Sequence, residues 1–168
     1  TAPQQGSNIL LRYATNCWIA GIESENCTFA HVEAEFSAHV TVAHAYFHHG
    51  FTYGGGGRAY GVVFQLATSD CRAENNIFEH LRHSVLLQAG CNGNVIAYNY
   101  SHTPYWDNTP TNGTSELTLH GNYPYANLFE QNLCQNIAID NSHGPNGPYN
   151  TFFRNRAALY GIIFADTN

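Results

Sequence analysis

Lysine and methionine are both missing from this 168-residue chain, and its few basic residues are outnumbered two to one by carboxylates, for a net charge of -6. A protein that grips nucleic acid carries a basic stripe, so this balance argues against that class of partner. No apolar run approaches the roughly 20 residues that span a bilayer, which argues against membrane insertion. Five cysteines, at 17, 27, 71, 91 and 134, form no CxxC pair and follow no metal-ligand spacing. They read as free, buried thiols that pack like small hydrophobes, with a Cys17–Cys27 bridge as the alternative in an exported protein. Neither a signal peptide nor an initiating methionine is visible, so the chain reads as a processed product or a fragment. Helical periodicity is absent over any long stretch.

What the chain does contain is a repeat. Asparagine, four residues and asparagine recur as NVIAYN (94–99), NLFEQN (127–132) and NTFFRN (150–155), with an apolar residue at Ile96, Phe129 and Phe152. A degenerate copy, CRAENN (71–76), keeps the closing asparagine and places Ala73 at the apolar position. The closing asparagines fall at 76, 99, 132 and 155, so the steps are 23, 33 and 23, a fixed period with one insertion. A second column keeps step with the first. Short alternating runs begin at 9, 32, 62, 85, 117, 137 and 162, as in VVFQL and VLLQA. Their first and third residues are mostly apolar and the fourth is usually polar, the signature of a half-buried strand.

Strands recurring about every 23 residues predict an all-β fold, a right-handed parallel β-helix of about seven coils forming a single domain over 1–168. Asn76, Asn99, Asn132 and Asn155 are expected to stack as a ladder at one turn, which makes them architecture before they are a site. A β-propeller is the rival, but its blades need about 40 residues each. The stretches YGVVFQLATSDCRAENNIFEHLRHSVLLQAG, LHGNYPYANLFEQN and NSHGPNGPYNTFFRN resemble the right-handed β-helix repeat proteins of the pectate-lyase-like superfamily, in particular secreted bacterial members without an assigned activity. The resemblance covers about residues 16–164 and implies the fold and an extracellular or cell-surface location. It carries over no catalytic motif, because the superfold hosts lyases, hydrolases, adhesins and plain scaffolds.

Alternation places the fourth residue of each run on the outside: Arg12, Glu35, Gln65, Gln88, His120, Asp140 and Ala165. Neighbours in such a column lie about 4.8 Å apart, so Arg12 should pair with Glu35, and His120 with Asp140. The two long steps of the run column place extra residues at 47–60 and 101–115, flanking the uninserted stretch EHLRHS (79–84). Loops on a rigid solenoid are where function gathers. The candidate catalytic residues are therefore His83, His120, Asp140 and Arg82, with Arg58, Tyr60, Gln65, Gln88, Tyr105, Trp106 and His143 as candidate substrate contacts. Aromatic rings stack on sugar faces, arginine pairs with carboxylates, and histidine exchanges protons near neutral pH. Each has a plainer reading: Tyr105 and Trp106 can pack their own loop down, and His48, His49 and His80 occupy a repeated turn as stacking residues. His83, His120, His143 and Asp140 offer zinc-type donors without the local spacing of a zinc site, and no metal or other cofactor is expected.

Two functions fit. One is a carbohydrate-binding or carbohydrate-active protein acting on a polysaccharide or oligosaccharide. As an enzyme it would be a polysaccharide lyase before a glycoside hydrolase. Hydrolases need two carboxylates at suitable spacing, whereas Glu35 and Asp140 are four coils, roughly 19 Å, apart, leaving Glu79, Asp107 or Glu116 as partner. The other is a structural β-solenoid segment of a filament, adhesin or fibre, part of a longer chain or assembled end to end through unpaired edge strands.

Overall fold

A computed structural model of the chain describes residues 5–53, 56–105 and 115–164. The first coil comprises β1 (Ile9–Arg12), β2 (Trp18–Ala20) and β3 (Glu23–Cys27), and the second β4 (Ala30–Glu35), β5 (Thr41–Ala43) and β6 (Tyr46–Gly50). The third has β7 (Tyr60–Gln65), β8 (Arg72–Glu74) and β9 (Ile77–Glu79). β10 (His83–Leu87), β11 (Val95–Ala97) and β12 (Tyr100–His102) form the fourth. The fifth begins with β13 (Leu117–Leu119) and β14 (Leu128–Glu130), and β15 (Leu133–Ile139) carries it without a turn into the sixth. β16 (Thr151–Phe153) and β17 (Arg156–Phe164) complete the described chain.

Every strand pairs in parallel with its counterpart one coil away, which makes the molecule a parallel β-helix. On the first face the order is β1-β4-β7-β10-β13-β15, and on the second β2-β5-β8-β11-β14-β16. The third face, β3-β6-β9-β12-β15, joins the first through β15, so that the two form one 11-stranded sheet curled back on itself. β17 closes both by pairing along β15, with a register shift between Cys134 and Asn136. The seven run starts read from the sequence pair in register to the residue: Ile9, Val32, Val62, Val85, Leu117, Ile137 and Ile162. So do Ala73, Ile96, Phe129 and Phe152 on the second face.

Corners explain the asparagines. Gly21, His44, Asn75, Tyr98, Gln131 and Arg154 each sit at a positive φ, between 50° and 66°, and turn the chain from the second face to the third. That left-handed conformation costs a non-glycine L-residue roughly 1–2 kcal/mol, and at the last four of these corners the asparagine that follows offsets it. Asn76 Nδ2 donates to Asn99 Oδ1 (3.1 Å), Asn99 Nδ2 to Asn132 Oδ1 (2.9 Å) and Asn132 Nδ2 to Asn155 Oδ1 (2.8 Å). Each of these oxygens also accepts the backbone N–H of the asparagine one coil back. The opening asparagines form a second ladder at the preceding corner, Asn94 to Asn127 to Asn150, at 3.0 Å per step. Between the ladders the inward side chains stack, with Phe129 on Phe152 at 4.8 Å. All five cysteines are free, four of them buried.

Candidate functional site

The outer surface of the first face holds the polar column expected from alternation. Arg12 Nε donates to Glu35 Oε2 at 2.6 Å, Gln65 Nε2 to Glu35 Oε1 at 3.3 Å, and Gln88 Nε2 to Gln65 Oε1. Further along, His120 Nδ1 meets Asp140 Oδ2 at 2.7 Å. The column is not the open surface that alternation suggests, since Glu35 and Asp140 are both buried. Glu33, two residues before Glu35 and on the same outer side, bonds Gln65 and Ser7 at 2.6 Å each. Burial, reinforced by the neighbouring Glu35 carboxyl, pushes the acid constant of Glu33 up. Burial acts the same way on Glu35, but hydrogen bonds from Arg12 and Glu33 outweigh it and hold Glu35 down. Sequence reading missed this pair because it placed Glu33 in no column.

Both long insertions enter at the same corner, between the third face and the first. The loop after β6 folds back over the first face, where Gly57 N donates to Tyr60 Oη at 3.0 Å. Phe29 packs edge-on against Tyr60, with ring centroids 5.4 Å apart. Beneath them the outward side chains of Val63 and Leu86 are buried as a second, smaller apolar cluster. The apolar second positions of VVFQL and VLLQA were the signal for this cover.

Against that cover lies a cavity of about 310 Å3. Tyr60, Arg82, His83, Gln88, His120 and His143 line it, together with Phe29 and the loop glycines Gly56 and Gly57. A row of rings follows its wall: Tyr60 to His83 at 4.9 Å, His83 to His120 at 5.8 Å, and His120 to His143 at 4.7 Å. Six of the eleven sequence candidates thus share one cavity, and Asp140 stands directly behind His120.

Asp140 is built as an orienting carboxylate. Its Oδ1 accepts from Ser142 N (3.0 Å) and Ser142 Oγ (2.5 Å), leaving Oδ2 for His120. Burial alone would raise its acid constant, yet the hydrogen bonds from His120 and Ser142 win and hold it low. An ionised carboxylate only accepts, so His120 presents Nδ1–H to it, and in the neutral ring Nε2 keeps its lone pair. His83 differs. The ring is 2 % exposed, and its Nδ1 donates to Ser115 O at 2.6 Å. Burial first, and the neighbouring His120 second, lower its acid constant to about 3. His83 is therefore a buried, neutral ring, and the expectation that it exchanges protons near neutral pH is corrected.

The remaining candidates fall elsewhere. Gln65 is one rung away, bonded to Gln88, and Arg58 lies on the covering loop without lining the cavity. Tyr105 stacks on Tyr53 at 4.1 Å and meets His80 edge-on at 5.7 Å. It joins the two inserted loops over the coil between them, so packing, not ligand stacking, accounts for its ring. Trp106 and Asp107 lie outside the described residues, as does Ala165. His49 and His80 stack at their shared corner, 5.1 Å apart. Glu79 bonds Tyr46 on the third face, away from the cavity. Glu116 is fully buried, its Oε2 accepting Gln135 N (2.7 Å) and Asn136 N (2.9 Å), so neither glutamate can supply a second carboxylate.

Among the described residues no group of three or more His, Cys, Asp or Glu side chains is arranged to hold a metal ion. A second cavity, of about 290 Å3, opens on the third face between Tyr100, His102, Leu133 and Arg156, with no carboxylate in its lining. No helix among the described residues is long and apolar enough to cross a membrane. Comparison of the chain with protein-family models, with curated proteins and with solved structures finds no match in any of the three.

Proposed function

We propose that this chain is a secreted or cell-surface carbohydrate-binding or carbohydrate-active β-helix, of the pectate-lyase-like kind, with its site in the cavity on the first face. The observation that carries the reading is the His120–Asp140 pair, held in one tautomer beside a cavity that also gathers an arginine, an aromatic ring and two further imidazoles. A saccharide site needs a flat apolar wall, donors and acceptors for hydroxyls, and a titratable group within reach. Tyr60 gives the wall, Arg82 the donors, and His120 Nε2 the base.

As an enzyme, this chemistry is β-elimination on a uronate. His120 Nε2 takes the proton from the carbon beside the carboxylate, and Arg82 offsets the charge that develops on that carboxylate. The carbon–carbon double bond forms as the glycosidic C–O bond breaks, its oxygen leaving with a proton from water. That favours a lyase over a hydrolase, because among the described residues no carboxylate lines the cavity. Incubation with a panel of neutral and acidic polysaccharides, read by new ultraviolet absorbance of unsaturated ends and by reducing ends, tests the reading. Loss of an acid–base group removes about 10²- to 10⁴-fold of rate, so His120→Ala should abolish any turnover found. Full turnover in that variant removes the catalytic claim, and failure to bind any member of the panel removes the carbohydrate reading.

A structural solenoid remains as a second reading, on one specific observation. Ile162 and Phe164 continue the inward column of the first face, yet are 43 % and 69 % exposed. Among the described residues this apolar rung pairs on one side only, with β15, and its open edge suits a further rung, whether from a longer chain or from a second copy. Sedimentation velocity across a range of concentrations distinguishes the two, since a monomer throughout excludes self-stacking.

A further inference from the structure

Hydrogen-bond polarity along the outward column has a mismatch at a single rung. Glu35, held as a carboxylate by Arg12, only accepts, so Gln65 must turn its amide nitrogen toward Glu35 and Glu33. Gln65 Oε1 is left to accept from Gln88 Nε2, which leaves Gln88 Oε1 as the group for the next rung. From the other end, the Asp140 carboxylate accepts His120 Nδ1–H, so in the neutral ring His120 Nε2 carries a lone pair. Two donor chains thus run away from the cavity in opposite directions. They leave acceptor and acceptor on neighbouring strands, about 4.8 Å apart. Consistent with this, every neighbouring pair from Arg12 to Asp140 is hydrogen-bonded except Gln88 and His120, and those two both line the cavity. His83 Nε2, its Nδ1 committed to Ser115 O, adds a third acceptor to the same wall.

We infer that the cavity recognises a pair of hydrogen-bond donors, the vicinal hydroxyls of a sugar ring, which bridge Gln88 Oε1 and His120 Nε2 and so complete the interrupted ladder. This rests on the carbohydrate reading and narrows it toward binding, since a hydroxyl on His120 Nε2 takes the lone pair that proton abstraction would need: the Gln88–His120 rung selects hydroxyls and repels a carboxylate. Gln88 and His120 are half-buried, and once a ligand covers them an acceptor left without a donor costs about 1–3 kcal/mol. A ligand group lacking O–H is therefore rejected there, as sites built to bond a hydroxyl reject analogues without it. Arg82 is the one arginine lining the cavity, and it takes the lone pairs of the ring and hydroxyl oxygens.

Two measurements test this. Two-bond proton–nitrogen correlation of the imidazoles in the unliganded chain, at mildly alkaline pH, should show His83 and His120 as Nδ1–H tautomers. An Nε2–H tautomer at His120 overturns the inference without reference to any ligand. Calorimetry with neutral hexose oligosaccharides then compares the natural chain with Gln88→Leu, which removes the acceptor, and Gln88→Lys, whose ammonium donates to His120 Nε2 and fills the gap. Both should bind about tenfold more weakly or worse. Sugar binding that Gln88→Lys leaves unchanged overturns the hydroxyl-pair assignment while the carbohydrate reading stands. No binding of neutral or acidic oligosaccharides by the natural chain removes both.

Discussion

Asn99→Ala strikes the middle of the longer asparagine ladder. The Asn99 amide makes four bonds: Nδ2 donates to Asn132 Oδ1 and to Ala73 O (2.8 Å), and Oδ1 accepts Asn76 N (3.0 Å) and Asn76 Nδ2 (3.1 Å). At about 1 kcal/mol net for each, the change costs about 4 kcal/mol. No water replaces these partners, since Asn76, Asn99 and Asn132 are all buried. For a chain of this size 1 kcal/mol moves the melting midpoint by roughly 2–4 °C, so a drop of roughly 8–16 °C is expected. Asn155→Ala is the matched control. It sits at the end of the same ladder, partly exposed, and water takes over much of what its amide gives, so a loss of about 1 kcal/mol is expected. Urea denaturation and thermal melts of the two variants, followed by far-ultraviolet circular dichroism, give the comparison directly. If Asn99→Ala melts no lower than Asn155→Ala, the ladder does not hold the coils together and the repeat has another cause.

Gly61→Ala should destabilise by about 2 kcal/mol or more, because the new methyl carbon would fall 2.2 Å from Ser84 O and 2.6 Å from the Phe78 ring; an unchanged urea midpoint would contradict that packing. His83→Ala should cost about 2–3 kcal/mol through the cavity left and the lost bond to Ser115 O, which keeps only its longer contact with Thr118 Oγ1 (3.3 Å), visible in the same melts. Burial raises the Glu116 carboxyl to about 7, above the ordinary value of about 4.3 in the unfolded chain. Its contribution is therefore fully present below the unfolded value and lost as pH rises through about 7. Urea midpoints should fall between mildly acidic and mildly alkaline pH in the natural chain, and fall less in Glu116→Gln. Equal slopes would show that Glu116 does not titrate there.

Period was the most legible property of the sequence because coil stacking demands it: any residue added within a strand would turn every inward side chain outward. That constraint is why Ile9, Val32 and the other run starts, and the closing asparagines, could be placed to the residue. The corners were not legible. Tyr98, His44 and Arg154 occupy the same left-handed position as Gly21 and Asn75, and nothing in a tyrosine or arginine announces a positive φ. The opening asparagines were visible in the repeat but not read as a second ladder, since Cys71 stands one coil before Asn94 and caps that ladder with its backbone N–H. At the candidate site, alternation gave the polar column and its His120–Asp140 pair but not its depth. Burial there depends on Phe29 and the loop after β6 reaching across three strands, a contact no local pattern encodes. Tyr105 was grouped with His83 because the insertion at 101–115 flanks the stretch that carries His83, whereas the coil turns Tyr105 onto Tyr53, toward the third face.

Both insertions enter where the third face meets the first, while the two asparagine ladders stand at the opposite edges of the second face. Pitch and chemistry are thereby assigned to different sides of the same tube. The step from Asn99 to Asn132 spans an inserted loop, yet its bond, at 2.9 Å, matches the 3.1 Å of the uninserted step from Asn76 to Asn99. Loop length at the cavity's corner is accordingly a free variable for selection or for an engineer. Residues can be added or removed there to reshape the mouth of the cavity without transmitting a register error to the coils above and below.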